Sequence, residues 1–357
     1  MTSPGRSLRW GLALVALLAG GHVVASQAPS DARLLVLLRD ASALAIVDPT
    51  DGTILGRVPT VRDPHEVTAS DDGRLAFVAS PSAGISVIDL ETQTELRRVD
   101  TGRGSEPHDV RYAGGKLYFT AEGYKVIGRY DPQRDEVDWL LGLGQDGTHM
   151  LVMSEDLNTI FTADRFSNTV TVVDNITAGP PDWAVTPIPV GGEFPEGIDL
   201  SPDGREVWTA TRNDGGVSII DVATQAVVQR LDLNLEDPNR LKFTPDGRRV
   251  LIADGRGSNL LLLDAGTRTE ITRFNLAPNA VLVQPDGARA YAALRGDHRV
   301  VVIDLDTLDG SNGFRIDGMV ASDFSGRSVS TAGDVNGDGF DDMIVGAYLA
   351  DPGGANT

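Results

Sequence analysis

Residues 201–233 read SPDGREVWTATRNDGGVSIIDVATQAVVQRLDL, and their punctuation is that of a β-hairpin array. Pro202-Asp203-Gly204 makes a tight turn, and EVWTAT at 206–211 is short and rich in β-branched and aromatic residues. After a small loop comes GVSIID, which ends in an aspartate, and then the more polar VVQRLDL. Strands of four to six residues joined by Asp-Gly turns pair antiparallel with their neighbours.

Working outward, the apolar strand that ends in aspartate recurs as AIVD, SVID, GRYD, TVVD, SIID, LLLD and VVID. The aspartates are Asp48, Asp89, Asp131, Asp174, Asp221, Asp264 and Asp304, spaced by 41, 42, 43, 47, 43 and 40 residues. Each full unit opens with a short strand such as EVTAS, followed by an Asp-Gly turn (Asp72-Gly73, or PDG at 202–204, 245–247 and 285–287). Strands like LAFVAS or RVLIAD, then the aspartate strand, then a polar strand complete it. Four strands per period of this length make a propeller blade. Nothing after residue 26 keeps helical periodicity for three turns, which excludes a helical solenoid. The prediction is an all-β chain, a seven-bladed β-propeller of four-stranded antiparallel blades. The repeated aspartates are expected to hold turns through side-chain-to-backbone hydrogen bonds.

These repeats resemble the YVTN repeat of bacterial β-propellers, including the YncE-like proteins, over about residues 33–308. The resemblance speaks for the fold, since such propellers host binding proteins and enzymes alike. The first unit, residues 33–58, carries only the last three strands. A ring closes when strands from both chain ends share a blade, so its inner strand is expected from beyond residue 308.

Residues 309–357 follow a different pattern, which resembles one FG-GAP repeat of integrin-type propellers. In DVNGDGFDD, Asp334, Asn336, Asp338 and Asp342 alternate around glycines, with the carbonyl of Phe340 between them. Alternating oxygens suit calcium. Val345 stands where an EF-hand would place its bidentate glutamate, and the flanks SVSTAG and DMIVGAY are strand-like. The division expected is therefore 1–26, 27–308 and 309–357.

The segment 1–26 reads as a secretory signal: Arg6 and Arg9 precede an apolar run from Trp10 to Gly20, and Val24 and Ser26 suit the cleavage site. The run falls short of a membrane span, and no later segment reaches that length, so the mature chain is expected in the periplasm or secreted, with no transmembrane segment. The chain has no cysteine, which excludes disulfides, thiolate zinc sites and a cysteine nucleophile. Net charge is −20, with Lys116, Lys125 and Lys242 the only lysines. Such a surface repels polyanions and excludes nucleic acid as the main partner.

The first strand of each blade lies innermost, so its leading residues ring one mouth of the channel. These are Pro64-His65, Pro107-His108, Thr148-His149, Pro195-Glu196, Pro238-Asn239 and Pro278-Asn279. The second strand ends at the same mouth, adding Glu122, Asp164 and Arg165. Neutral imidazoles from His65, His108 and His149 with a carboxylate from Glu122 or Glu196 are ligands for zinc, copper or iron, or general bases without a metal. Asn239, Asn279, Asp164 and Arg165 are expected to line the channel beside them. His298, in an outer loop, is expected to be solvated.

The reading favours a binding or interaction propeller, taking a small molecule or an extracytoplasmic protein, over an enzyme. The alternative is a metal-dependent propeller hydrolase or lyase, lactonase-like, that uses the channel histidines. No phosphate loop, Gly-x-Ser-x-Gly elbow or haem attachment motif occurs.

Overall fold

Seven sheets stand around a central channel in the computed structural model, which describes residues 33–38, 41–49, 51–179, 182–294, 299–308, 324–333 and 342–348. The all-β, seven-bladed expectation holds. Among the described residues the only helical pieces are single 3-10 turns at Glu122–Tyr124 and Ile176–Ala178.

The fifth blade shows the plan, with Pro195–Leu200 innermost, then Glu206–Thr211, Gly216–Asp221 and Ala226–Asp232 outermost. Middle strands pack on both faces against neighbouring blades, so they are rich in apolar residues and buried except for the half-buried Glu206 and Asp221 at their ends. The outermost strand is mostly exposed, with Leu231 its one buried residue. Between blades five and six, Trp208 is fully buried among Leu241, Phe243, Val250 and Leu261, with its ring 5.4 Å from Phe243 edge-on. Its indole nitrogen donates to Glu206 Oε2 at 2.8 Å, which satisfies the one polar atom that burial would strand.

The turns between first and second strands repeat a device. Ser70, Ser201 and Thr244 donate their hydroxyls to Asp72, Asp203 and Asp246, which in turn accept the backbone N–H of Arg74, Arg205 and Arg248. The glycine that follows each aspartate is left-handed, with φ between 64° and 71°. In the fourth blade Leu157 fills that place at φ 58°, a conformation disfavoured by its Cβ.

The repeated aspartates do hold turns in five blades: Asp89, Asp131, Asp221, Asp264 and Asp304 each accept a backbone N–H two or three residues on. Asp174 differs. Its carboxylate takes the Thr159 hydroxyl and the Gln225 side-chain amide, tying the fourth blade to the fifth.

The first blade is where the plan of four antiparallel strands gives way. Its sheet has five strands in the order Phe324–Gly333, Asp342–Tyr348, Leu34–Leu38, Ala43–Val47 and Ile54–Pro59. Strands from beyond residue 308 do complete this blade, and the two past that division share its sheet. Because a whole hairpin is inserted, the arm that touches Leu34–Leu38 is its second one, and it runs parallel, Leu34 opposite Met343 and Leu38 opposite Ala347. The last blade has three strands among the described residues, Pro278–Val283, Arg289–Leu294 and Arg299–Asp304. The signal-like segment 1–26, His298 and the loop residues Asp334, Asn336, Asp338 and Phe340 lie outside the described residues, while Asp342 opens a strand.

Candidate functional site at the channel mouth

The inner strands start irregularly, and the irregularity positions the site. In blades three to seven the register with the second strand slips between Pro107 and Val110, Thr148 and Met150, Pro195 and Ile198, Pro238 and Arg240, and Pro278 and Ala280. The residues left without a cross-strand partner include His108, His149, Glu196, Asn239 and Asn279. A bulge re-aims side chains and recurs beside functional sites. Just ahead of three of the prolines, Asp63, Glu106 and Phe194 adopt left-handed φ of 57°, 52° and 61°. Left-handed backbone at non-glycine residues persists only where surrounding structure holds it.

The structure brings the three histidines together. The His108 ring lies between the other two, its centroid 4.0 Å from that of His65 and 3.7 Å from that of His149. All three are buried, His149 to 1% exposure. Burial first, then the neighbouring His149 and His65 and the guanidiniums of Arg165 and Arg240, hold the His108 imidazole well below its ordinary pKa. It is therefore neutral at pH 7 and keeps a lone pair. His108 Nδ1 and His149 Nε2 are both buried with no hydrogen-bond partner among the described residues.

Glu122 lies with this stack, but its hydrogen bond goes to His149, not to the His108 of its own blade: Oε1 meets His149 Nδ1 at 2.5 Å. Its other oxygen, Oε2, accepts from Arg165 Nη2 at 2.6 Å. Burial raises the Glu122 pKa, and the His149 and Arg165 contacts more than reverse this, so the carboxyl is lowered overall. Glu196 stands on the far side of His149, 3.6 Å from Nε2, and receives Arg212 at 2.7 Å and Arg240 at 3.2 Å. Against its burial, these partners hold it well below the usual carboxylate range. Two groups of ligand atoms lie within 4.8 Å of one another, His65 with Glu66 and His108, and His108 with Glu122 and His149.

Several residues of the site escape a reading of the leading pairs alone. Glu66, one place past His65, accepts from Arg240 Nη2 at 2.8 Å across the channel. Arg240, one place past Asn239 in blade six, so ties that blade to Glu66 of blade two and to Glu196 of blade five. Gly197 makes room for it, since a Cβ there would sit 2.8 Å from the Arg240 Cα. Arg212 binds Asp237 in fork geometry at 2.5 and 3.1 Å. Above Arg165, the rings of Phe166 and Phe194 lie 5.4 and 5.2 Å from its guanidinium carbon. The signal for Glu66 and Arg240 was their place in the repeat, one residue beyond the pair that was read.

Asp164 belongs to a separate group. Its carboxylate takes the hydroxyls of Thr162, Thr169 and Thr171 at 2.6–3.0 Å. Burial pushes it up to about 6, against the pull of those hydroxyls. A raised carboxyl favours the protonated form in the folded chain, so this group lowers stability as pH rises from about 4 through about 6. Asp164→Asn should abolish that slope and gain up to about 3 kcal/mol on wild type between pH 4 and pH 7. Urea unfolding of both proteins at the two pH values measures the difference, and parallel pH dependences would contradict the assignment.

Comparison with known proteins places the chain among propellers. The family model described as Cytochrome D1 heme domain matches residues 30–137, under a third of the chain, and the FG-GAP repeat matches residues 325–357. No curated protein matches in sequence. Among solved structures, a chain of Kuenenia stuttgartiensis hydrazine synthase superposes with a TM-score of 0.65 at 20% identity, over 81% of this chain and all of that one. A protein from Desulfotomaculum acetoxidans, titled functionally unknown, gives 0.65 at 13% identity over 77% and 93%. The β-propeller domain of Myceliophteria thermophila Cps50 (Swd1) gives 0.59 at 15% over 74% and 89%. The chain is a β-propeller. At such identities the likeness is one of fold.

Proposed function

We propose that the chain is an exported binding propeller that takes a transition-metal cation, zinc, copper or iron, at its channel mouth. The observation that carries this reading is the pair of buried imidazole nitrogens, His108 Nδ1 and His149 Nε2, left without hydrogen-bond partners between the carboxylates Glu122 and Glu196. An unpaired buried polar atom costs about 1–3 kcal/mol, so a chain that keeps two of them gains when a ligand occupies both. Neutral imidazole and carboxylate together are a donor set for such ions.

The haem in the description of the matching family model finds no such fit. The stacked imidazoles, 3.7–4.0 Å apart, leave no slot for a macrocycle between them. A cavity of about 1100 Å³ opens elsewhere, between Arg111, Met153 and Lys242, and has no histidine among its described lining residues.

Export rests on the signal-like residues 1–26, and a second, calcium site on Asp334, Asn336, Asp338, the Phe340 carbonyl and Asp342. Calorimetry on purified protein tests both ions. Zinc uptake should be present in wild type and lost in His108→Ala while calcium uptake persists, and Asp338→Ala should show the converse. Equal zinc uptake by wild type and His108→Ala would refute the channel site.

A further inference from the structure

Beside the imidazole stack, and partly open to solvent, stands Arg165. It is 18% exposed and reaches both carboxylates that flank His149, at 2.6 Å to Glu122 and 3.9 Å to Glu196. Glu122 has no spare oxygen in this arrangement, because Oε1 faces His149 and Oε2 faces Arg165. The guanidinium lies against Phe166 and Phe194, whose rings meet edge-on at 5.5 Å. Phe166 is 62% exposed, and Phe194 holds its place in a left-handed conformation at φ 61°. The Arg165 Nε is buried without a hydrogen-bond partner among the described residues. The guanidinium is thus fixed by charge at one end and by ring faces on its sides, with one donor idle.

We infer that Arg165 is a built-in competitor for the cation site: it neutralises Glu122 and Glu196 when no ion is present, and an incoming divalent cation must displace it. The inference rests on the channel-cation reading above. Like charges within a few ångström in a poorly solvated site repel strongly, so ion and guanidinium exclude one another from Glu122. Phe166 and Phe194 set how firmly Arg165 is held, since a guanidinium over an aromatic face is attracted to it. The other arginines of the cluster are not equivalent. Arg240 spans Glu66 and Glu196, and Arg212 is forked onto Asp237. Each has an anchor away from Glu122, whereas the partners found for Arg165 are the two carboxylates beside His149 and the two rings.

The test is zinc binding, measured with zinc chloride against a fluorescent chelator at fixed pH and low salt. Arg165→Gln should bind zinc at least tenfold more tightly than wild type, and Arg165→Lys, which keeps the charge, should stay within threefold of it. Phe166→Ala changes a largely exposed side chain, and it should tighten binding at least threefold by loosening Arg165. If wild type binds zinc and neither Arg165→Gln nor Phe166→Ala binds more tightly, the competitor role is overturned and the cation site stands. If wild type and both variants all fail to bind zinc, the site and the competitor fall together. Tight binding by Arg165→Gln alone, with none in wild type, supports the competitor role in its strongest form.

Discussion

Arg240→Met should lower the unfolding free energy by about 3–5 kcal/mol, the usual loss when one partner of a buried ion pair is removed. Arg240 is only 11% exposed, and its guanidinium bonds Glu66 at 2.8 Å and Glu196 at 3.2 Å. Methionine would fill much of the volume but leave both buried carboxylates without their shared cation. The partners lie far apart in sequence, Glu66 in the second blade and Glu196 in the fifth, so the contact also clasps the ring across its channel. Urea unfolding gives the loss directly from the midpoint at unchanged slope. Adding Glu66→Gln to Arg240→Met should restore part of it, because the charge left unpaired is removed. A loss below about 1 kcal/mol would show that the cluster is solvated and carries little of the fold.

A chain ending at residue 308 should lose a comparable amount. It lacks Phe324–Gly333 and Asp342–Tyr348, so Leu34–Leu38 would present an unpaired edge to the channel side. All five residues of that strand are buried, and Leu34, Val36 and Leu38 pack with Ala280, Tyr291 and Val300 of the last blade. An exposed apolar edge of this kind invites association between chains. The expected result is a thermal midpoint lower by roughly 10 °C, since each kcal/mol moves a chain larger than about 250 residues by about 2 °C, together with concentration-dependent aggregation. An unchanged midpoint would mean that the hairpin is ornamental to the ring.

The blade count was legible because a propeller writes its period into the chain: aspartates at near-equal spacing and Asp-Gly turns at one place in each unit. The convergence of His65, His108 and His149 was legible for the same reason, as equivalent positions in consecutive inner strands must meet around one mouth. The parallel pair in the first blade was not, because its second arm belongs to no YVTN-like unit and nothing local states its direction. Arg240 was missed since the bulge after Pro238 shifts which residue faces inward, and a bulge leaves no mark in residue type. Glu66, by contrast, sits in a strand of regular register and was passed over only because it stands one place beyond the leading pair. The partner of Glu122 depended on how neighbouring blades stagger, which set it beside His149. Leu157 shows the converse: the backbone keeps the left-handed turn even where the glycine is gone.

X-ray absorption at the zinc edge, on protein loaded with one equivalent of zinc, looks at the channel site itself. Imidazole scattering from His108 and His149, with nitrogen at about 2.0–2.1 Å and carboxylate oxygen beside it, is the expected spectrum. It should vanish in His108→Ala. A spectrum of oxygen ligands alone, or one that His108→Ala leaves unchanged, would contradict a cation site in the channel.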